Sequence, residues 1–357
     1  MSFVYSHPFT GLANGLNTMQ GGGAVGGWVE LGRTTLGAAA DTITVSSLAD
    51  KRYYMLLFNK IPDTNATVTW QVNNDTGTNY SVRQSTNGGT DSTFTSQDDT
   101  EGGDPVNSTP SFTVAYVANR SANEKLATQH VVSQNTAGAG TAPARMETVW
   151  KWANTSNAIN RFDQKNLAAG AGDYDVGSEV VVLGWDPDDT HTNNFWTELV
   201  SVDTNGTGDA DTGTFTAKKY LWIQVYLKNT DATTTAFAFR CGNSTIDTGT
   251  NYARRYSGNG GADGTSTSSN HMDFTTSSML QNETGFANFF VINNASNEKL
   301  FIGHSVDSQA AGAANTPERK EMAMKWANTS NQMNIFGITD LGTASTFDYK
   351  IKIWGAD

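Results

Sequence analysis

The sequence predicts an all-β protein made of two tandem homologous β-sandwich domains, jelly-roll-like, preceded by an extended N-terminal arm. Three observations predict it. Apolar and polar residues alternate at period two, the signature of half-buried strands. Turn-forming Gly, Asn, Asp, Ser and Thr punctuate the chain at the spacing of short strands. Long stretches of the first half recur in the second.

The arm, residues 1–27, comes first. It carries Gly21-Gly22-Gly23 and Gly26-Gly27 and has no copy in the second half, so it falls outside the domain fold. That makes it the expected assembly element. The opening Met1-Ser2-Phe3-Val4-Tyr5-Ser6-His7-Pro8 has no basic segment followed by an apolar run, so no signal peptide is expected. No stretch of the chain has the length of apolar residues that a membrane helix needs.

The first domain is expected over 28–186. Ile43 and Val45 alternate with Thr42 and Thr44, and Val68, Trp70 and Val72 alternate with Thr67, Thr69 and Gln71. The unbroken apolar runs 53–58 and 112–118 read as central strands buried on both faces. Asp75-Thr76-Gly77-Thr78 lies between two strand-like runs and reads as a hairpin turn, with Gly77 supplying a positive φ. Residues 187–195, polar and opened by Pro187, read as a linker. The second domain is expected over 196–357, with central runs at 221–227 and 286–292. Tyr349, Ile351 and Ile353 alternate with Lys350 and Lys352 near its end. No segment shows a helical stripe.

The repeat is explicit. Lys151-Trp152-Ala153-Asn154-Thr155-Ser156-Asn157 recurs as Lys325-Trp326-Ala327-Asn328-Thr329-Ser330-Asn331, an offset of 174 residues from Lys151 to Lys325. Asn123-Glu124-Lys125-Leu126 recurs as Asn297-Glu298-Lys299-Leu300, and Ala137-Gly138-Ala139 as Ala311-Gly312-Ala313. Pro143 matches Pro317. Asp75-Thr76-Gly77-Thr78-Asn79-Tyr80 recurs as Asp247-Thr248-Gly249-Thr250-Asn251-Tyr252, followed by Arg83 and Arg255 and by Asn87-Gly88-Gly89 and Asn259-Gly260-Gly261. Trp28 pairs with Trp196. An ordered set of matches at a nearly constant offset is the mark of duplication.

Composition narrows the function. Charged residues are 16% of the chain, against the roughly 25% usual for soluble domains. The net charge of −12 argues against nucleic acid and anionic membranes as partners, since both need clustered cations. Cys241 is the one cysteine, so no internal disulfide forms, and it reads as a small buried apolar residue. Asn65 and Asn107 head glycosylation sequons, which a chain this rich in Asn and Thr contains by chance.

The polar residues that recur are His130, Arg145, Glu147 and Lys151, mirrored by His304, Arg319, Glu321 and Lys325. They read either as a pocket present once per domain or as an ion-pair network that fixes a long loop. Common descent of the copies favours the second reading. Asp98-Asp99-Thr100-Glu101 and Asp186-Pro187-Asp188-Asp189 could offer oxygens to Ca²⁺, but neither has EF-hand spacing and neither recurs, so solvated loops are the simpler expectation. Trp70, Trp152, Trp222 and Trp326 sit in strand-like or repeated segments, where core packing outweighs sugar stacking. The histidines lack zinc-site spacing, and no P-loop or nucleophile elbow occurs. No catalytic, cofactor-binding or metal residue is therefore assigned, and an enzyme is not expected.

The segments Asp-Thr-Gly-Thr-Asn-Tyr-x-x-Arg, Asn-Gly-Gly, Lys-Trp-Ala-Asn-Thr-Ser-Asn and Lys218-Lys219-Tyr220-Leu221-Trp222-Ile223-Gln224-Val225 resemble those of uncharacterised tandem β-sandwich virion proteins of marine tailed bacteriophages. The resemblance covers most of both repeats but not the arm. It implies a virion protein made in the host cytoplasm and placed on the particle exterior, as a capsid decoration or a tail or fibre component. Its implied partners are other virion proteins and further copies of itself, a trimer among the options. Two alternatives remain: a double jelly-roll major capsid protein, and a pair of carbohydrate-binding modules that recognise a host glycan.

Overall fold

The computed structural model describes residues 27–167, 173–190, 193–275, 278–308 and 312–357. Apart from Gly27, the arm lies outside the described residues, as do 191 and 192 of the expected linker.

The described residues form strands and no α-helix. In the first half these are β1 (Val29–Thr35), β2 (Thr42–Ser46), β3 (Tyr53–Lys60), β4 (Val68–Val72), β5 (Tyr80–Thr86), β6 (Ser92–Gln97), β7 (Ser111–Ala118), β8 (Lys125–Ser133), β9 (Ala144–Trp152), β10 (Arg161–Asn166) and β11 (Glu179–Trp185). In the second half they are β12 (Thr197–Thr207), β13 (Ala210–Asp211), β14 (Tyr220–Asn229), β15 (Phe237–Asn243), β16 (Thr245–Ile246), β17 (Tyr252–Gly258), β18 (Gly264–Ser269), β19 (Met272–Asp273), β20 (Thr284–Ile292), β21 (Lys299–Asp307), β22 (Glu318–Trp326), β23 (Ile335–Asp340) and β24 (Thr346–Ala356).

Each half makes a large and a small antiparallel sheet. The large sheets run β1-β11-β3-β7-β8-β9-β5-β6 and β12-β24-β14-β20-β21-β22-β17-β18, the same path strand for strand. The small sheets are β2-β10-β4 and β13-β23-β15, the latter extended by β16 and β19 beside β15. In each half a small sheet covers one face of its large sheet. In the first, Ile43, Val45, Trp70 and Phe162 of the small sheet pack on Tyr54, Leu56 and Phe58 of β3. Phe58 meets Trp70 edge-on at 6.0 Å, the geometry that ring quadrupoles favour.

The opposite faces of the two large sheets meet each other. Met55, Leu57, Phe112, Val181 and Leu183 of the first half form one apolar cluster with Trp196, Tyr220, Phe290, Ile302 and Trp354 of the second. The chain is thus four layers deep, and its two large sheets are the inner layers. This explains the unbroken apolar runs. In β3, Tyr54, Leu56 and Phe58 enter the sandwich core, while Met55 and Leu57 enter the seam between halves.

The repeated words turn out to lock turns. The Asp75 carboxylate accepts from the Gly77 N–H at 2.8 Å, the Asn79 amide at 2.9 Å and the Trp152 indole at 2.7 Å. Asp247 does the same with Gly249, Asn251 and Trp326. Asn154 accepts from the N–H groups of Ser156 and Asn157, and Lys125 donates to the Asn154 carbonyl at 2.8 Å. Asn328 and Lys299 repeat that arrangement. The expected hairpin at Asp75–Gly77 is corrected by the topology. This segment carries the chain from β4 in the small sheet to β5 in the large one. Positive φ falls instead on Asn73 and Asn74, at 53° and 56°. Gly77 is needed for close approach: a Cβ there would stand 2.8 Å from the Asn79 amide nitrogen.

Asp75→Ala leaves the Gly77 N–H and the Trp152 indole without their acceptor. It is expected to cost about 1–3 kcal/mol, read from the urea midpoint. Asp75→Asn, which keeps one acceptor oxygen, is expected to cost less.

Candidate functional site

Five of the recurring polar residues, His130, Arg145, Glu147, His304 and Glu321, collect at the seam rather than in two separate pockets. His130 on β8 and His304 on β21 occupy the same place in their copies, and their rings meet at 4.8 Å between centroids. Tyr116 and Phe290, also equivalent, meet at 6.5 Å. Beside the imidazoles, Arg145 of β9 pairs with Asp263 at 2.7 Å and with Glu321 at 3.3 Å, both from the second half, and with Glu147 from its own strand. The fork of guanidinium donors suits such a set of carboxylates. Burial pushes the pKa of Glu147 up in spite of Arg145.

The copies are used unequally. Arg319, the counterpart of Arg145, is 60% exposed, whereas the Arg145 side chain is 5% exposed. Lys151 pairs with Glu124 at the surface, at 3.0 Å. Its counterpart Lys325 is fully buried with Glu298 at 3.2 Å and donates to the carbonyls of Gln134 and Thr136, at 3.0 and 2.7 Å. Those carbonyls belong to the β8–β9 loop of the first domain, which lies across the second. The same loop accepts from Arg255 at Pro143 (2.9 Å) and from the Ser268 N–H at Ala139 (2.7 Å), and its Gly138 N–H donates to Glu298.

None of the described residues covers the matching face of the first domain. There, where β3 and β8 begin and β7 and β9 end, lies a groove of about 930 Å³. Trp28, Tyr53, Tyr116, Leu126, Val149 and Trp185 line it. Tyr53 and Trp185 stack at 5.5 Å with 23° between planes, and Trp28 stands 6.3 Å from Trp185. Arg83 and Lys151 also line it, Lys151 held by Glu124. The effect of the uncovered face is plain at one pair: Leu126 is 56% exposed, and Leu300, its counterpart, 1%. A concave site with large rings and a few polar groups is the usual form of a binding surface.

The other candidates find ordinary partners. Asp99 accepts from the Glu101 N–H at 2.6 Å and Asp189 pairs with Lys51 at 2.5 Å, while Asp186 faces Arg52 at 3.6 Å. Among the described residues no group of three or more His, Cys, Asp or Glu converges as a metal ion requires. Trp70, Trp152 and Trp326 are buried, and Cys241 lies in the second core. Trp222 packs at the seam, stacked on Phe290 at 5.6 Å. The sequence reading missed Trp185 and used Trp28 and Leu126 only to mark the repeat. The available signal was Val149, an apolar residue on a face of β9 otherwise formed by Arg145, Glu147 and Lys151.

No family model matches the chain, and no curated protein matches it. Among solved structures, domains LG4-5 of the mouse laminin α1 chain share 8% identity at a TM-score of 0.20, covering 94% of this chain and 91% of that one. Neisserial surface protein A shares 9% identity at a TM-score of 0.12, covering 82% and 98%. Likeness at that level carries no argument about this chain.

The seam predicts a pH dependence. Burial, with His304 and Arg145 beside it, takes the His130 pKa from its ordinary 6.5 down to about 4. His304 is lowered as well, by burial first and by Arg145 and Arg319 against the pull of Glu321. The unfolded chain therefore takes up protons on these rings at a higher pH than the folded one, and stability falls as pH drops from 6.5 towards 4. Going from pH 7 to pH 5 should remove about 1–2 kcal/mol through His130, measured by urea unfolding. His130→Gln should flatten that loss.

Proposed function

We propose that the protein is a non-catalytic structural component of a bacteriophage particle, on its exterior as a capsid decoration or a tail or fibre protein, and that it works by assembly. The observation that carries the reading is the groove. One domain has this face covered by its neighbour's loop, and among the described residues the other leaves the same face open. A contiguous apolar surface of this kind is costly to leave in water and is a common mark of an interaction site. The shared apolar seam supports the reading too, because it joins two sandwiches into one four-layer block. Imaging of the native particle tests it. Density for the four-layer block on the shell or tail is expected, and particles without it would overturn the proposal.

The ring geometry of the groove favours a second reading, a glycan-binding surface. Tyr53 and Trp185 stack at one end of the groove, across the sheet from Arg83 and Lys151, and offer ring faces to a sugar. It predicts glycan-array binding that Trp185→Ala abolishes; an array without hits would sink it.

A further inference from the structure

We infer that the groove of the first domain receives a second copy of this chain, through that copy's segment 312–317 in the loop between β21 and β22. The inference deepens the assembly reading and rests on it. The chain contains its own precedent. In the second domain the equivalent face is filled by the β8–β9 loop of the first, held by Arg255, Ser268, Glu298 and Lys325. The first domain carries the same four positions as Arg83, Ser96, Glu124 and Lys151. Ser96 and Ser268 even share a left-handed backbone, at φ 55° and 46°.

The plug is duplicated as well. Gly138-Ala139 and Pro143 recur as Gly312-Ala313 and Pro317, and Gly138 and Gly312 turn the chain at φ 84° and 94°. Residues 312–317 are exposed. One copy of the chain therefore presents one open socket, on its first domain, and one plug, on its second. The repeat dictates the contacts: the Pro317 carbonyl to Arg83, the Ala313 carbonyl to the Ser96 N–H, and the Gly312 N–H to Glu124. The His130–His304 contact is already made inside each copy, so the second copy engages through plug and groove alone. A socket and a plug on different domains give a head-to-tail contact, which closes into a ring or runs on as a filament.

Engineered cysteines test this in the full chain, since Cys241 is buried. Ser96→Cys and Ala313→Cys proteins are mixed, oxidised gently and run without reducing agent. A covalent heterodimer joined through those two positions is expected. A mixture that stays uncrosslinked although both thiols react with maleimide overturns the inference. So does a crosslink that forms only within a single doubly substituted chain. Leu126→Glu places a charge in the socket at an exposed position and should weaken self-association about tenfold, by sedimentation, with the melting temperature unchanged. Unchanged association would overturn the inference, as would wild-type protein that stays monomeric. The particle assignment has a separate test: density on the particle together with a monomer in solution removes this inference only, while particles without the protein remove the assembly reading itself.

Discussion

The rest of the structure depends on the apolar seam between the two large sheets. A sandwich normally buries one face of each sheet and leaves the other to water. Here the outer faces of the large sheets are themselves apolar, with Met55, Leu57 and Phe112 on one and Trp196, Phe290 and Trp354 on the other. Leaving those rings in water would be unfavourable, by roughly 25 cal/mol for each Å², so the halves close on each other. The seam then decides which polar residues are buried. It draws His130, His304 and Arg145 into low dielectric, where they need one another and Asp263 and Glu321.

Duplication followed by fusion explains the unequal fates of equal residues. Equivalent residues meet across the seam at His130–His304 and Tyr116–Phe290, but the loop contacts beside it are made in one direction. The first domain gives its β8–β9 loop, and the second receives it. Lys325 and Glu298 thus become a buried pair satisfied by backbone groups, while Lys151 and Glu124 remain an exposed pair of small energetic weight. The groove is the other consequence: it is the receiving face that no described residue of the chain fills.

Elsewhere the two sandwiches hold charges inside with the same economy of partners. Lys60 and Asp104 are fully buried at 2.5 Å from each other. Lys60 also donates to the carbonyls of Val106 and Asn107, and Asp104 accepts from Ser111 at 2.6 Å. Burial lowers the lysine pKa, and the carboxylate opposes that. Such a pair adds little net stability, but losing either partner strands the other. The pair therefore fixes how the 104–111 segment meets β3 more than it strengthens the fold.

Much of this was legible in the sequence. Period-two alternation at Val68, Trp70 and Val72 gave a strand of the small sheet, and the runs 53–58 and 112–118 gave central strands, because side-chain direction alternates along any strand whatever its neighbours. The matched words gave the duplication, but the one turn read from them, at Asp75, needed the topology to show that it links two sheets. The sequence could not say what lies against either face of a strand. Lys151 and Lys325 sit in identical words, as do Leu126 and Leu300. Only the tertiary structure decided that one of each pair is covered and the other open, because the β8–β9 loop of the first domain docks on the second and no described residue does the same for the first.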